Sequence, residues 1–337
     1  MLGERNLNRR WLAFSRFFLG IAVVLAANLM AGSFVPRDLA FLRSNLVYRP
    51  LALVFLLIGF SIVVRAFDRV RGNPLAAIGL AIRRPWLRDL WIGGVLGAGM
   101  VAVTVSMIAF TGGLSITLNT GQDAVMRAVV VMIILAAGAM AEEISFRGYP
   151  FQRLVAAVGA GPAVAVLSIL FGTAHLLNPD ASAWGFLNTV LIGILLAVAY
   201  LRTGSLWMPI AIHFWWNTTL GLIFGLPVSG LWGFSVVTKG RLRGPLWLTG
   251  GGYGIEASAV TAGVIVAGIV ALVAFVPSRK ARCLPGAIEN RELPASGGIS
   301  EESHMLPGSS VEQRKSGLAL PSGDSSVQPK LEDFSES

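Results

Sequence analysis

Two adjacent glutamates, Glu142 and Glu143, close an apolar run that begins at Ala124, and Arg147 follows at the end of the run. A carboxylate in or near hydrocarbon costs roughly 2.5–3.5 kcal/mol on insertion scales, so a pair there needs a function or a partner. Further along stand Phe171-Gly-Thr-Ala-His175 and His213-Phe-Trp-Trp-Asn217. Successive helical residues point about 100° apart, so Glu142 and Glu143 cannot face one small site equally. Glu143 and Arg147 have the i, i+4 spacing of a helix ion pair, which leaves Glu142 as the freer carboxylate. His213 and Asn217 share that spacing, as do Phe171 and His175, so each pair presents one helix face.

A glutamate, two histidines and an asparagine around one wet cavity suit the hydrolysis of an amide. Low dielectric makes a carboxylate a stronger base, so Glu142 would take a proton from a water that His175 also holds. His213 and Asn217 could donate hydrogen bonds to the developing oxyanion. Rival chemistries lack their signatures: there is no Gly-x-Ser-x-Gly elbow, His-Glu-x-x-His helix or phosphate-binding glycine loop. An isolated intramembrane histidine is more often helix–helix glue. Here, however, two of the three histidines fall on runs that can face the glutamate, and His304 stands apart in the tail. Asn188 reads as interhelical glue, the tryptophans as interfacial belt or packing, and Arg153 and Arg202 as anchors.

The elements that must position these residues are apolar runs. The chain of 337 residues is 54% hydrophobic and 13% charged, far from the soluble average of about 25% charged. Stretches near the roughly 20 residues that span a bilayer recur at approximately 13–34, 51–67, 90–112, 124–147, 161–177, 184–201, 207–225 and 257–276. The expected fold is an all-α polytopic membrane protein of about eight helices. Its divisions are N-terminal spans at 1–67, an interfacial segment at 68–89, a core at 90–225, a Gly-rich outer loop at 226–256, a last span at 257–276 and a disordered tail at 277–337. A turn at Gly159-Ala-Gly-Pro162 would make the fourth and fifth spans antiparallel. Glu142 and His175 then lie about 27 and 21 Å from it if the helix continues past Arg147.

The net charge of +9 does not point to nucleic acid, because nine of the eighteen acids are confined to 284–337 and the membrane body is the basic part. Basic clusters at Arg5, Arg9 and Arg10, at 65–88, and at Arg279, Lys280 and Arg282 would share one side of an eight-span protein. The positive-inside rule makes that side, and both termini, cytoplasmic. Arg37, Arg43, Arg49, Lys239, Arg241 and Arg243 dissent on the other. Cys283 is the only cysteine, which excludes an internal disulfide and a thiol metal cluster. The first apolar run exceeds a signal-peptide core and is expected to remain as an anchor.

The ordered set Glu142-Glu143-x-x-x-Arg147, Phe171-x-x-x-His175 and His213-x-x-x-Asn217 resembles the CPBP family of intramembrane proteases. That family includes the type II CAAX prenyl endopeptidases and proteins of bacteriocin processing and self-immunity. Phe146-Arg147-Gly148-Tyr149 and Thr203-Gly-Ser-Leu-Trp-Met-Pro-Ile match its flanks, and the resemblance covers roughly 124–225. It implies that Glu142 and His175 activate water, that His213 and Asn217 stabilise the tetrahedral intermediate, and that Glu143 and Arg147 support the site. Members are often labelled metalloproteases. Glu142, His175 and His213 would suffice as zinc ligands with an open fourth position, whereas the glutamate mechanism requires no cofactor. The resemblance thus implies an intramembrane endopeptidase of a bacterial-type inner membrane, acting on a membrane-associated protein or peptide through a cavity open to the cytoplasm. Two rivals are a non-proteolytic binding or immunity protein on the same scaffold and a proton-coupled transporter. The second is weakened by the absence of an internal repeat.

Overall fold

The computed structural model describes residues 2–119, 121 and 123–279. His304, Cys283 and nearly all of the expected tail lie outside the described residues. The long helices are α1 (Leu2–Ser33), α2 (Phe41–Ala66), α4 (Trp86–Ala109), α5 (Ala124–Arg147), α6 (Tyr149–Val158), α7 (Ala160–Ala174), α8 (Ala183–Thr203), α9 (Trp207–Thr218) and α11 (Ala259–Phe275). Single-turn helices α3 (Pro74–Ala77) and α10 (Leu246–Thr249) lie in connections, and β1 (Leu114–Leu118) pairs antiparallel with β2 (Thr238–Leu242). The helical membrane fold is as expected, apart from that one ribbon.

The span count is lower than expected. Among the described residues six helical segments are long and apolar enough to cross a membrane: 6–33, 41–66, 86–109, 124–158, 160–177 and 183–203. The expected seventh run is a 12-residue helix, α9, which passes into a five-residue π-turn at Thr219–Ile223. The expected eighth, α11, has 17 residues, about 26 Å at 1.5 Å per residue, at the short limit for a span. Nor does the α5 helix run on past Arg147. Gly148 leaves helical geometry, since its backbone at φ −79° and ψ −130° ends α5, and Pro150 sits in the first turn of α6.

Two turns form where the punctuation places them. Gly159, at φ +91°, joins α6 to α7, and Gly204, at φ +65°, caps α8 before α9. Both need the left-handed region that glycine enters without a Cβ penalty.

The helix that carries His213 and Asn217 is set by α4. A Cβ on Gly97 would lie 2.3 Å from the Ile212 carbonyl oxygen, and one on Gly93 would lie 2.6 Å from that of Met208. Small residues at i and i+4 thus let two helix backbones touch, the packing that replaces hydrophobic drive inside a bilayer. Val101, Val105, Ile108, Ile212, Trp216 and Leu220 extend this contact into one apolar core. A second core joins α1, α2, α6 and α7 around Phe60, Tyr149, Phe151 and Leu167.

Gly97→Leu is therefore expected to lower the unfolding midpoint of the detergent-solubilised protein, because overpacking costs about 1–3 kcal/mol and no neighbouring backbone can yield. Gly99→Leu, with nothing within 4 Å of its Cβ position, should leave the midpoint close to wild type. Equal midpoints for the two variants would refute backbone contact as the force that seats α9.

Candidate active site

Glu143 and Arg147 form the ion pair their spacing predicts, with Arg147 Nη1 3.0 Å from Glu143 Oε1 and both side chains buried. The pair is tied into the bundle on two more sides. Arg147 Nη2 donates to the Gly193 carbonyl of α8 at 3.2 Å, and its guanidinium lies 4.4 Å above the Phe171 ring of α7. Glu143 Oε1 also faces His213 Nδ1 at 2.8 Å. A carboxylate only accepts, so the proton of that bond sits on Nδ1 and Nε2 of His213 is turned to the cavity. Glu143 thus does more than neutralise Arg147: it fixes the tautomer and the ring plane of His213.

Glu142 is the freer carboxylate, as expected, with its side chain 31% exposed. His213 Nε2 lies 3.7 Å from Glu142 Oε2, and that oxygen makes no hydrogen bond to the described residues. One imidazole therefore stands between the two glutamates, one nitrogen on each. His175 begins a 3₁₀ turn at the C-terminal end of α7, where its Nδ1 lies 2.8 Å from the Phe171 carbonyl oxygen. A carbonyl also only accepts, so Nδ1 carries the proton and Nε2 offers a lone pair. Phe171 packs on His175 at 4.5 Å and meets His213 edge-on at 6.2 Å, holding both rings.

Glu142, His175, His213 and Asn217 all line a cavity of about 240 Å³. The structure thus brings the four sequence-derived candidates together, with Glu143 and Arg147 behind them. Val228, Ser229, Leu231 and Phe234 from the long connection after α9 complete its wall. Its location departs from expectation. The cavity sits by the ends of α7 and α9 and under the 226–234 segment, at the end of the bundle away from the N-terminus. At the other end Arg10 bonds the Ala157 carbonyl, and Arg279 binds Asp89 through two 2.7 Å contacts. Asn28 and Tyr48 share a hydrogen bond one residue from Arg49, which is beside Glu142. Arg10 and Asn28 are about 27 Å apart along α1. A cavity open to the same side as Arg10 and Arg279 is not what this geometry builds.

Two site residues escaped the sequence reading. Arg49, taken as a stray cation of an outer loop, points from α2 into the cavity with Nη1 3.6 Å from Glu142 Oε1. Its guanidinium occupies the notch left by Gly138, where a Cβ would lie 2.0 Å from Nη1, and Asn45 accepts its Nε–H at 3.1 Å. Glu256 is the second. Its carboxylate accepts from the Trp216 indole at 2.9 Å and from the Ser229 backbone N–H. Burial pushes the Glu256 carboxyl above the usual carboxylate range, while these two donors pull the other way. It ties the cavity wall at Ser229 to the α9 residue beside Asn217. An arginine followed by proline and a glutamate among glycines give no periodic signal that would reveal either contact.

Among the described residues no group of three or more His, Cys, Asp or Glu side chains is placed to hold a metal ion.

Residues 124–219 match the family model described as Type II CAAX prenyl endopeptidase Rce1-like. That stretch holds Glu142, Glu143, Arg147, Phe171, His175, His213 and Asn217 and leaves out Arg49 and Glu256. No curated protein and no solved structure matches the chain. The likeness to the CAAX-type intramembrane proteases is thus one of this stretch of the membrane core.

Removing Glu143 alone strands a buried guanidinium, at a cost of about 3–5 kcal/mol, whereas an apolar replacement of both partners is often nearly neutral. Glu143→Leu should thus unfold at much lower temperature than wild type, and Glu143→Leu with Arg147→Met should regain most of the loss. The double variant should remain inactive, since nothing then orients His213. A double variant as unstable as the single one would show that the ion pair is not the source of the effect.

Proposed function

We propose that the protein is an intramembrane endopeptidase in which Glu142 and His175 activate a water and His213 and Asn217 stabilise the oxyanion. The protease class rests on the match over 124–219. The assignment of roles rests on one observation, the convergence of these four side chains on a single cavity. Glu142 is the partly exposed carboxylate, with an oxygen not bonded to described protein groups, and His175 offers an unprotonated Nε2. The two can accept both protons of one water. Proton transfer to Glu142 leaves hydroxide to attack the scissile carbonyl, and the carboxylic acid can return that proton to the leaving amine. Asn217 can donate its amide N–H to the tetrahedral oxyanion. His213 joins it as a donor in its doubly protonated form, with Nδ1–H on Glu143 and Nε2–H towards the cavity.

In this reading Arg49 places fixed positive charge beside the base. The substrate is a membrane-associated protein or peptide whose scissile bond reaches the cavity from the 226–234 side. The mechanism proposed needs no cofactor. It rests on Glu142 and the unprotonated Nε2 of His175, which face one cavity and can hold a water between them.

Glu142→Gln keeps shape but cannot take a proton, so cleavage of a native substrate should vanish while the unfolding midpoint stays near wild type. Asn217→Ala should lose about 10²–10³ in rate, the usual cost of one oxyanion donor. Comparing membrane-protein fragments from cells that carry wild type or Glu142→Gln identifies the substrate, and identical fragment patterns would sink the base assignment.

The cofactor question has its own measurement. Purified enzyme treated with a strong chelator should keep its activity, and elemental analysis should find no stoichiometric metal. Chelator-sensitive activity that added zinc restores would overturn the metal-free mechanism.

A further inference from the structure

The β1–β2 ribbon carries a row of cations that the proteolytic reading does not use. In β2 the side chains alternate, with Thr238 and Gly240 buried and Lys239 and Arg241 exposed. Arg243 continues the same register just past the strand, where its N–H donates to the Gly113 carbonyl at 2.7 Å. Lys239, Arg241 and Arg243 therefore share one face at intervals of about 7 Å along the strand. The strand is pinned on both edges, by β1 and by the Gly240 N–H to Gly225 carbonyl bond at 2.9 Å. The row is thus a fixed feature of the surface.

These three side chains line a groove of about 620 Å³ together with Trp232 and Ser235. No acid lines the groove, the facing strand Leu114–Leu118 is uncharged, and among the described residues none of the three cations is in an ion pair. Trp232 in the groove is half exposed, and the connections on either side of the ribbon expose Phe110, Leu246 and Trp247. The ribbon follows the end of α4 and precedes the start of α5, so it lies where two long apolar helices leave hydrocarbon. Val125 and Met126, exposed on the first turn of α5, carry the apolar surface onward. Tryptophans at that depth mark the headgroup layer.

We propose that this groove binds the phosphate headgroup of an anionic phospholipid, with Lys239, Arg241 and Arg243 on the phosphate and the neighbouring apolar side chains against the acyl chains. Charge complementarity selects the anion. The continuity of those side chains with lipid-facing helices selects a lipid over a soluble acidic partner. The same connection supplies Ser229 and Phe234 to the cavity wall, so the bound lipid would brace the segment that covers the active site.

The test uses delipidated full-length protein in detergent, titrated calorimetrically with dihexanoyl-phosphatidylglycerol, dihexanoyl-phosphatidylcholine, inorganic phosphate or an Asp-rich peptide. Phosphatidylglycerol should bind more tightly than the other three. Each of Lys239→Gln, Arg241→Gln and Arg243→Gln should weaken it roughly fivefold, and the triple variant about a hundredfold, as expected for independent cations near an anionic headgroup. All three side chains are exposed, so the single variants keep the test valid even if the triple variant folds poorly. Phosphatidylcholine binding as tightly as phosphatidylglycerol would overturn the proposal. So would single variants with wild-type affinity, inorganic phosphate matching the lipid, or preference for the peptide.

Discussion

Everything in the site hangs on a buried positive charge. Arg147 sits at the C-terminal end of α5, fully enclosed, and its charge must be answered on all sides. Glu143 answers it electrostatically, the Gly193 carbonyl takes a further N–H, and the Phe171 ring offers its negative face. These contacts join α5, α7 and α8 at one point. Because Glu143 also holds His213, the helix α9 is drawn to the same point. One guanidinium therefore fixes the relative placement of four helices, and the catalytic candidates are the side chains next to its contacts. Such a centre adds little net stability over an apolar one, but it penalises every alternative packing that leaves the charge unpaired.

How much of this was legible follows from which contacts are local. The i, i+4 rule identified Glu143–Arg147, singled out Glu142, and put His213 and Asn217 on one face, because a helix fixes those relations without tertiary information. Turn chemistry placed the joints at Gly159 and Gly204. The reading failed where geometry is not periodic. Arg49 reaches Glu142 from a helix 93 positions earlier in the chain through a notch made by Gly138, and only the folded packing shows it. Glu256 lies in a run of glycines with no hydrophobic pattern, and its three anchors come from Trp216, Ser229 and Asn188. Hydropathy also read 207–225 as one helix, since it does not register the change to π-turn geometry at Thr219.

The charge pattern and the cavity give one coupled statement about topology. The positive-inside rule was applied to clusters near Arg10, at 65–88 and near Arg279, and the structure does gather these at one end, around Asp68 and Asp89. The cavity is at the other end, below a surface that carries Lys239, Arg241 and Arg243. The end of the bundle that holds Arg10 and Arg279 and the end that holds the cavity are therefore opposite ones. In that arrangement the six basic residues that dissent from the rule cluster on the cavity side, where Arg49 already serves the site.

The cavity wall explains why a long, glycine-rich connection follows α9. A water-activating carboxylate within a bilayer needs water yet must be kept from lipid, and a short turn would leave the cavity open to the side. The segment 226–234 closes it, and its backbone would be costly to bury without partners. Glu256 supplies an acceptor to the Ser229 N–H, while Asn178 donates to the Ser229 carbonyl at 3.1 Å. Asn188 bonds the Glu256 and Ser258 carbonyls at 2.8 Å each, which fixes the far end of the same connection to α8. The wall is thus held by hydrogen bonds to the helices that carry the site and by Leu226, Val228 and Phe234, which are buried in the apolar core. In the proposed protease, the segment that keeps lipid from the cavity is therefore also the side from which a peptide would have to approach Glu142 and His175.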